Sequence, residues 1–331
     1  MIANSHCGRA FGVAVVAALL TAPARAADLD RYLPPDTEVV VTWNVRQLLG
    51  SQLIKKNGLE QLRDLIKSQE EVESVLKELS LDPLKDIDKI IAALPATGEQ
   101  DKGLFIVHGR FNLDKFKARA DKAAKDNKDV FKIHQVKDGQ GGLHTVYEFT
   151  IPVQGNKQPF FAGFASRTTL LAAPSKDYLI DGLKTKDATK VRLKNKAFQD
   201  LLTRMDEQQS FSFATVGEAL TKSPLAELDP VKDLLPKLSA AAGGITLGDG
   251  IKMEFTLSTK QAADAKMLKE KIDEGLTTAT VLIGLAVMQQ KELAPLLEVV
   301  KSIKPTVRDT AVTLKGEVSG ETLDKLRPKD Q

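Results

Sequence analysis

Along this chain the spacing of apolar residues switches repeatedly between alternation and steps of three and four, and the switches mark the elements. Glu38 to Asn44 is a β-branched run that reads as a strand. From Val45 the pattern turns helical: Leu48 and Leu49 come first, and beyond Gly58 a long amphipathic helix is predicted over 59–79 through Leu62, Leu65, Ile66, Val72, Val75, Leu76 and Leu79. Ile87 to Leu94 and Gly103 to His108 read as strands. Leu113, Phe116, Ala120 and Ala123 then mark a helix, and Val130 to Val136 a further strand. Leu143 to Ile151 pairs with it across a glycine-rich turn at 139–142, and Phe160 to Ala165, Thr169 to Ala173 and a helix capped by Ser175 follow.

The pattern then starts again. Leu81-Asp82-Pro83-Leu84-Lys85-Asp86 returns 147 positions later as Leu228-Asp229-Pro230-Val231-Lys232-Asp233, with five of six residues identical. Asp before Pro opens a helical turn, because the carboxylate accepts from free backbone amides and Pro needs no donor at the first helical position. Asp82 and Asp229 are therefore expected to be structural caps. Asn112 and Thr259 share the same spacing and are each expected to cap the helix that follows. Farther upstream Val45 matches Val216 at a spacing of 171, which makes the 59–79 helix an insertion in the first copy. Ile251 to Leu257 forms a hairpin with Gly244 to Leu247. A long helical region runs from Thr259 towards Ile303, Thr306 to Val318 is the last strand, and Ser319 opens a final helix.

The predicted class is α+β, with two related halves, each a βαββαβ unit of the ferredoxin-like, split βαβ kind with an antiparallel sheet. The first half is enlarged by the inserted helix and extra hairpins. The expected division is a signal peptide over 1–26, a first repeat over 27–186 and a second over 187–331, with the lysine-rich stretch from Lys184 to Lys196 between the halves.

The signal peptide rests on Arg9, the apolar run Ala10 to Leu20 and the Ala24-Arg25-Ala26 end. The run is too short to span a bilayer and no later stretch reaches a span of about 18 residues, so no integral membrane segment is expected after cleavage. Cys7, the only cysteine, leaves with it. The expected mature chain holds 45 basic and 44 acidic residues, a balance that gives no reason to expect nucleic acid.

Candidate chemistry is sparse. His108, His134 and His144 are the histidines past the signal. His134 and His144 flank one hairpin and are the candidates for a metal, but no third ligand stands at a fixed spacing, and both also suit a solvated strand face. No Gly-x-Ser-x-Gly elbow or cysteine nucleophile is present, and the glycines at 139–142 precede a strand rather than the helix that a phosphate cradle requires. Trp43 suits a stacking platform or a core position, and the 59–79 stripe suits a protein partner, self-association or packing on its own sheet. Asp86 and Asp233 could join the paired Asp-Pro turns in a cation site, although Lys85 and Lys232 stand beside them. No cofactor is expected.

Leu33-Pro34-Pro35-Asp36-Thr37, Val39-Val40-Val41-Thr42-Trp43-Asn44-Val45, Asp82 to Asp88 and Gly109-Arg110-Phe111 give the chain a resemblance to exported two-repeat proteins of unknown function that are numerous in planctomycete bacteria. That resemblance implies the periplasm or cell envelope and carries no activity. The expectation is a non-catalytic binding or scaffold protein, with a hydrolase or metal-binding protein whose site assembles from distant residues as the alternative.

Overall fold

The computed structural model describes residues 29–68, 73, 76, 77, 81–97, 99–128, 130–137, 141–153, 156–185, 191, 193–227, 232–290 and 293–326. The expected signal peptide, Asp229 and much of the 59–79 helix lie outside the described residues. Among the described residues twelve strands form one sheet. They are β1 (Val39–Trp43), β2 (Ile87–Leu94), β3 (Leu104–Gly109), β4 (Phe131–Lys137), β5 (Leu143–Val153), β6 (Asn156–Ser166), β7 (Thr169–Ala173), β8 (Phe211–Val216), β9 (Leu238–Leu247), β10 (Ile251–Thr259), β11 (Lys304–Arg308) and β12 (Ala311–Val318). Their spatial order is β11-β12-β10-β9-β8-β1-β2-β3-β7-β6-β5-β4.

Every pairing is antiparallel, and β1 joins the two runs by pairing β2 on one side and β8 on the other. This order corrects the ferredoxin-like expectation, in which a helical crossover would make the first and third strands parallel neighbours. Here β1, β2 and β3 lie side by side in chain order, because the segments between them return the chain beside the strand it has just left. The single strand expected over 306–318 is likewise two. Asp309, at φ 52°, turns β11 back onto β12, a conformation that the short polar side chain of Asp tolerates.

Backbone hydrogen bonds recur along the chain. Asn44 N donates to Ser210 O at 2.9 Å and Val216 N to Glu38 O at 3.1 Å, so the two central strands exchange equivalent bonds. Glu38 N to Leu94 O (2.9 Å) is matched by Ser210 N to Ile245 O (2.8 Å), Arg110 N to Asp86 O (2.8 Å) by Lys260 N to Lys237 O (2.9 Å), and Gly109 N to Thr168 O (3.0 Å) by Thr259 N to Thr310 O (2.8 Å). These pairs align Asn44 with Val216, a spacing of 172, and Asp86 with Lys237, a spacing of 151. The Asp-Pro match at 147 thus runs one helical turn out of step with the backbone: Pro83–Asp86 leads into β2, whereas a 3-10 turn at Leu235–Lys237 leads into β9.

Successive strand residues point to opposite faces, so the sheet has two sides. One side carries Val40, Ile91, Ala93, Leu104, Ile106, Val146, Leu171, Ala214 and Ala242. It is covered by Tyr32 and Leu33 of the leading segment, by Leu179 and Leu183 of the helix Lys176–Lys184, and by Phe198 and Leu202 of the helix Lys196–Thr203. On the other side the helix Leu113–Asp126 sets Phe116, Ala120 and Ala123 on Phe131 and Tyr147, and the helix Ala262–Gln289 sets Ala265 and Leu268 on Leu238 and Val312.

Candidate functional site

On the first of these sides, register carries one row of residues from core to open surface. Val40 lies opposite Ala214, Ala214 opposite Ala242, Ala242 opposite Thr256, Thr256 opposite Thr313 and Thr313 opposite Thr306. The neighbouring row reads Thr42, Ser212, Gly244, Glu254, Lys315 and Lys304. Directly opposed residues share a face, so the same side of the sheet that is apolar and covered at β1 becomes polar at β10, β12 and β11.

A groove of about 720 Å³ lies over that polar floor, walled by Leu201, Arg204 and Met205 on one side and by Ser302 and Lys304 on the other. Across its floor Lys315 bonds Glu254 at 3.0 Å, Lys252 lies 3.6 Å from Glu317, and the Thr256 and Thr313 hydroxyls are 3.1 Å apart. Both ion pairs are well exposed, which makes each worth little to stability and leaves both signs of charge accessible. At the inner end Gln209 folds over Gly244, where a Cβ would meet its side chain, and Gln209 Oε1 is buried with no hydrogen-bond partner among the described residues. In the first run, the helix following β7 covers this side. The helix that follows β12, Gly320–Leu326, packs instead on the helix Ala294–Ser302, with Thr322 Oγ1 donating to Glu298 at 2.8 Å.

A second cluster links Asp30, His108 and Thr169. His108 Nε2 meets Asp30 Oδ2, and His108 Nδ1 lies 3.3 Å from Thr169 Oγ1. Burial opposes the charge of Asp30, yet the His108 ring, the Tyr32 amide and Lys89 outweigh it and hold the carboxyl below its ordinary range. The order of groups resembles a nucleophile relay, but Thr169 is only 3% exposed and both ring nitrogens are engaged inside the protein. The cluster therefore ties the leading segment to β3 rather than presenting a nucleophile to a substrate.

The residues singled out by sequence fall in several places. His134 and His144 share a face of the β4–β5 pair at diagonal positions, and His134 Nε2 bonds Glu148 at 2.7 Å. Burial works against the Glu148 charge, but His134 and Lys132 hold its carboxyl below the usual range. Among the described residues no group of three or more His, Cys, Asp or Glu could hold a metal. Asp82 Oδ1 accepts from Leu84 N at 3.1 Å and Asp86 Oδ2 from Asp82 N at 2.8 Å, a reciprocal closure of one turn. Asn112 Oδ1 accepts from Lys115 N at 3.0 Å. Thr259 caps no helix: it ends β10, its hydroxyl donates to Gln261 O and Thr310 O, and Gln261 occupies the N-cap without a side-chain bond. Gly141 has φ 88°, as a tight turn requires. Trp43 is 40% exposed and packs edge-on against Phe211 at 5.9 Å.

Comparison with known proteins adds no name to this geometry: no protein-family model, no curated protein and no solved structure matches the chain.

Proposed function

We propose that the chain is a non-catalytic binding or scaffold protein of the bacterial periplasm or envelope, built from two copies of one α+β unit and holding its ligand on the open face of β9, β10, β12 and β11. The duplication is supported by the paired hydrogen bonds on either side of β1 and β8, and the exported setting by the signal-like first residues and the resemblance to planctomycete two-repeat proteins. One observation carries the binding face: a single side of one continuous sheet is sealed by apolar packing in the first run and left open, hydroxyl-lined and charged with both signs in the second. A face needed only for folding would continue the apolar row, since each buried Leu or Val contributes about 1.5–3 kcal/mol.

Among the described residues the lining contains no aromatic ring of the kind on which sugars and bases stack. Lys252, Lys304 and Lys315 alternate with Glu254 and Glu317, a pattern complementary to an extended peptide segment that carries both charges. The test is an amide NMR titration with synthetic peptides of alternating Lys and Glu. Shifts confined to β9, β10 and β12 and abolished by Glu254→Ala with Lys315→Ala are expected. Shifts spread over the whole surface, or unchanged in that variant, would end the proposal.

A further inference from the structure

Next to the inner end of the groove lies a second, smaller cavity of about 80 Å³. Its floor is the covered part of the same sheet face, with Val40 and Thr42 of β1, Ile91 of β2 and Ser212 of β8, and Leu33 and Leu202 wall it. Thr42 and Ser212 belong to the row that continues through Gly244 and Glu254, so cavity and groove stand over one line of residues. Gly244 is directly opposite Ser212, about 4.8 Å away across one strand spacing. Met205, Asp206 and Gln209 line both spaces and stand between them.

Gln209 lies on that boundary. The backbone beside it is fixed, because Ser210 N donates to Ile245 O at 2.8 Å and Leu247 N donates to Ser210 Oγ at 2.9 Å. Its side-chain oxygen is held differently. Oε1 occupies the space that a Cβ on Gly244 would fill, 2.2 Å from where that atom would lie, and is buried with no hydrogen-bond partner among the described residues. An acceptor buried without a donor is unfavourable, and rotation about side-chain bonds is enough to lift the carboxamide off Gly244 and return it to water.

We propose that Gln209 is a gate between groove and cavity, and that the cavity is an anchor pocket for one small aliphatic side chain, up to the size of Val, of the peptide lying in the groove. This inference rests on the groove being a peptide-binding face. The size follows from the volume, since about 80 Å³ is room for two or three water-sized groups of about 30 Å³ each, enough for the methyls of Val and too little for an aromatic ring. The chemistry follows from the lining, where aliphatic side chains surround the two hydroxyls. Of the carboxylates beside it, Asp30 is already bonded to His108 and Tyr32 N, and Asp206 and Glu207 are exposed to water. With the gate open, Gln209 Oε1 accepts from the backbone N–H of the entering residue, the donor that the closed position lacks.

Isothermal titration with peptides that share one alternating Lys and Glu segment and differ in a single terminal residue, Val, Gly or Phe, placed at each end in turn, tests the pocket. In one of the two polarities the Val peptide is expected to bind about tenfold or more tightly than the Gly and Phe peptides. In the full chain with Cys7→Ser, Ser212→Cys places the only thiol on the cavity floor. Methyl methanethiosulfonate is expected to modify it about tenfold faster when Gln209→Ala removes the gate, and about tenfold more slowly under saturating Val peptide but not Gly peptide. Equal affinities for the three peptides, or a Ser212→Cys rate that either Gln209→Ala or the Val peptide leaves unmoved, would overturn the inference, and amide shifts retained in the groove would then leave the peptide-binding face standing. No groove shifts with any of the peptides would overturn both.

Discussion

Asp30→Ala removes two bonds at once: the one from His108 Nε2, and the one from Tyr32 N at 3.0 Å that helps shape the turn. The Asp30 side chain is 10% exposed, and the segment it holds places Tyr32 and Leu33 in the core. A hydrogen bond to a charged group contributes about 1.5–3 kcal/mol and a neutral one about 0.5–1.5, so the substitution should destabilise the fold by about 2–4 kcal/mol. Asp30→Asn keeps an acceptor for Tyr32 N and should lose about half of that. Urea unfolding at neutral pH measures both, and a double-mutant cycle with His108→Ala should give a coupling of about 1–3 kcal/mol. If instead Asp30 and His108 form a reactive centre whose structural contribution is small, Asp30→Ala will stay within about 0.5 kcal/mol of wild type and the cycle will be additive. That result would refute the tie.

The same carboxyl gives a pH prediction. Its folded-state pKa lies below the ordinary 3.8, so the stability it supplies is present above the unfolded value and disappears as pH falls through the folded one; the gap between wild type and Asp30→Asn should narrow below about pH 4 in acid unfolding curves. Asp82→Ala should cost about 0.5–2 kcal/mol in the same urea assay, as loss of an N-cap does, with no effect on peptide titrations. Gly109→Ala should destabilise by several kcal/mol, because a Cβ there would fall on Asp86 O, whereas Gly275→Ala, with nothing within 4 Å in a helix interior, should stabilise by about 0.5–1 kcal/mol; calorimetric melts would separate the two signs.

Local structure was readable from sequence where the signal is local. The strand at Thr169–Ala173, the one expected from Leu143 to Ile151 and found over Leu143–Val153, and the caps at Asp82, Asn112, Ser175 and Ser319 follow from β-branched runs and from side chains bonding within three residues. Strand order is not local. The β1–β8 pairing joins residues far apart in the chain, and a hydrophobic pattern specifies which face is buried but not which strand lies alongside. The Asp-Pro turns recur in the sequence at a spacing of 147, whereas the matching backbone hydrogen bonds before β2 and β9 recur at 151, because a capping motif can slide relative to the strand it precedes.

The groove has a signal in the sequence. Lys252, Glu254, Thr256 and Ser258 alternate with Met253, Phe255 and Leu257, and Thr313, Lys315 and Glu317 alternate with Val312 and Leu314, the mark of strands open on one side. In contrast, Leu104-Phe105-Ile106-Val107 is apolar throughout, with Leu104 and Ile106 buried on one side and Phe105 and Val107 half-buried on the other. The contrast between the strands of the two runs marks the open face. The Asp30–His108–Thr169 tie had no such signal, since its members are joined only by the fold.

The proposed binding face is tested most directly by amine-selective labelling of the protein in intact cell envelopes and after purification. Lys252, Lys304 and Lys315 stand in the groove, and Lys125 on the helix Leu113–Asp126 stands outside it as the reference. If the face is occupied in its native setting, the three groove lysines will label several-fold more slowly in envelopes than in the purified chain while Lys125 is unchanged. Equal ratios at all four positions would contradict the account.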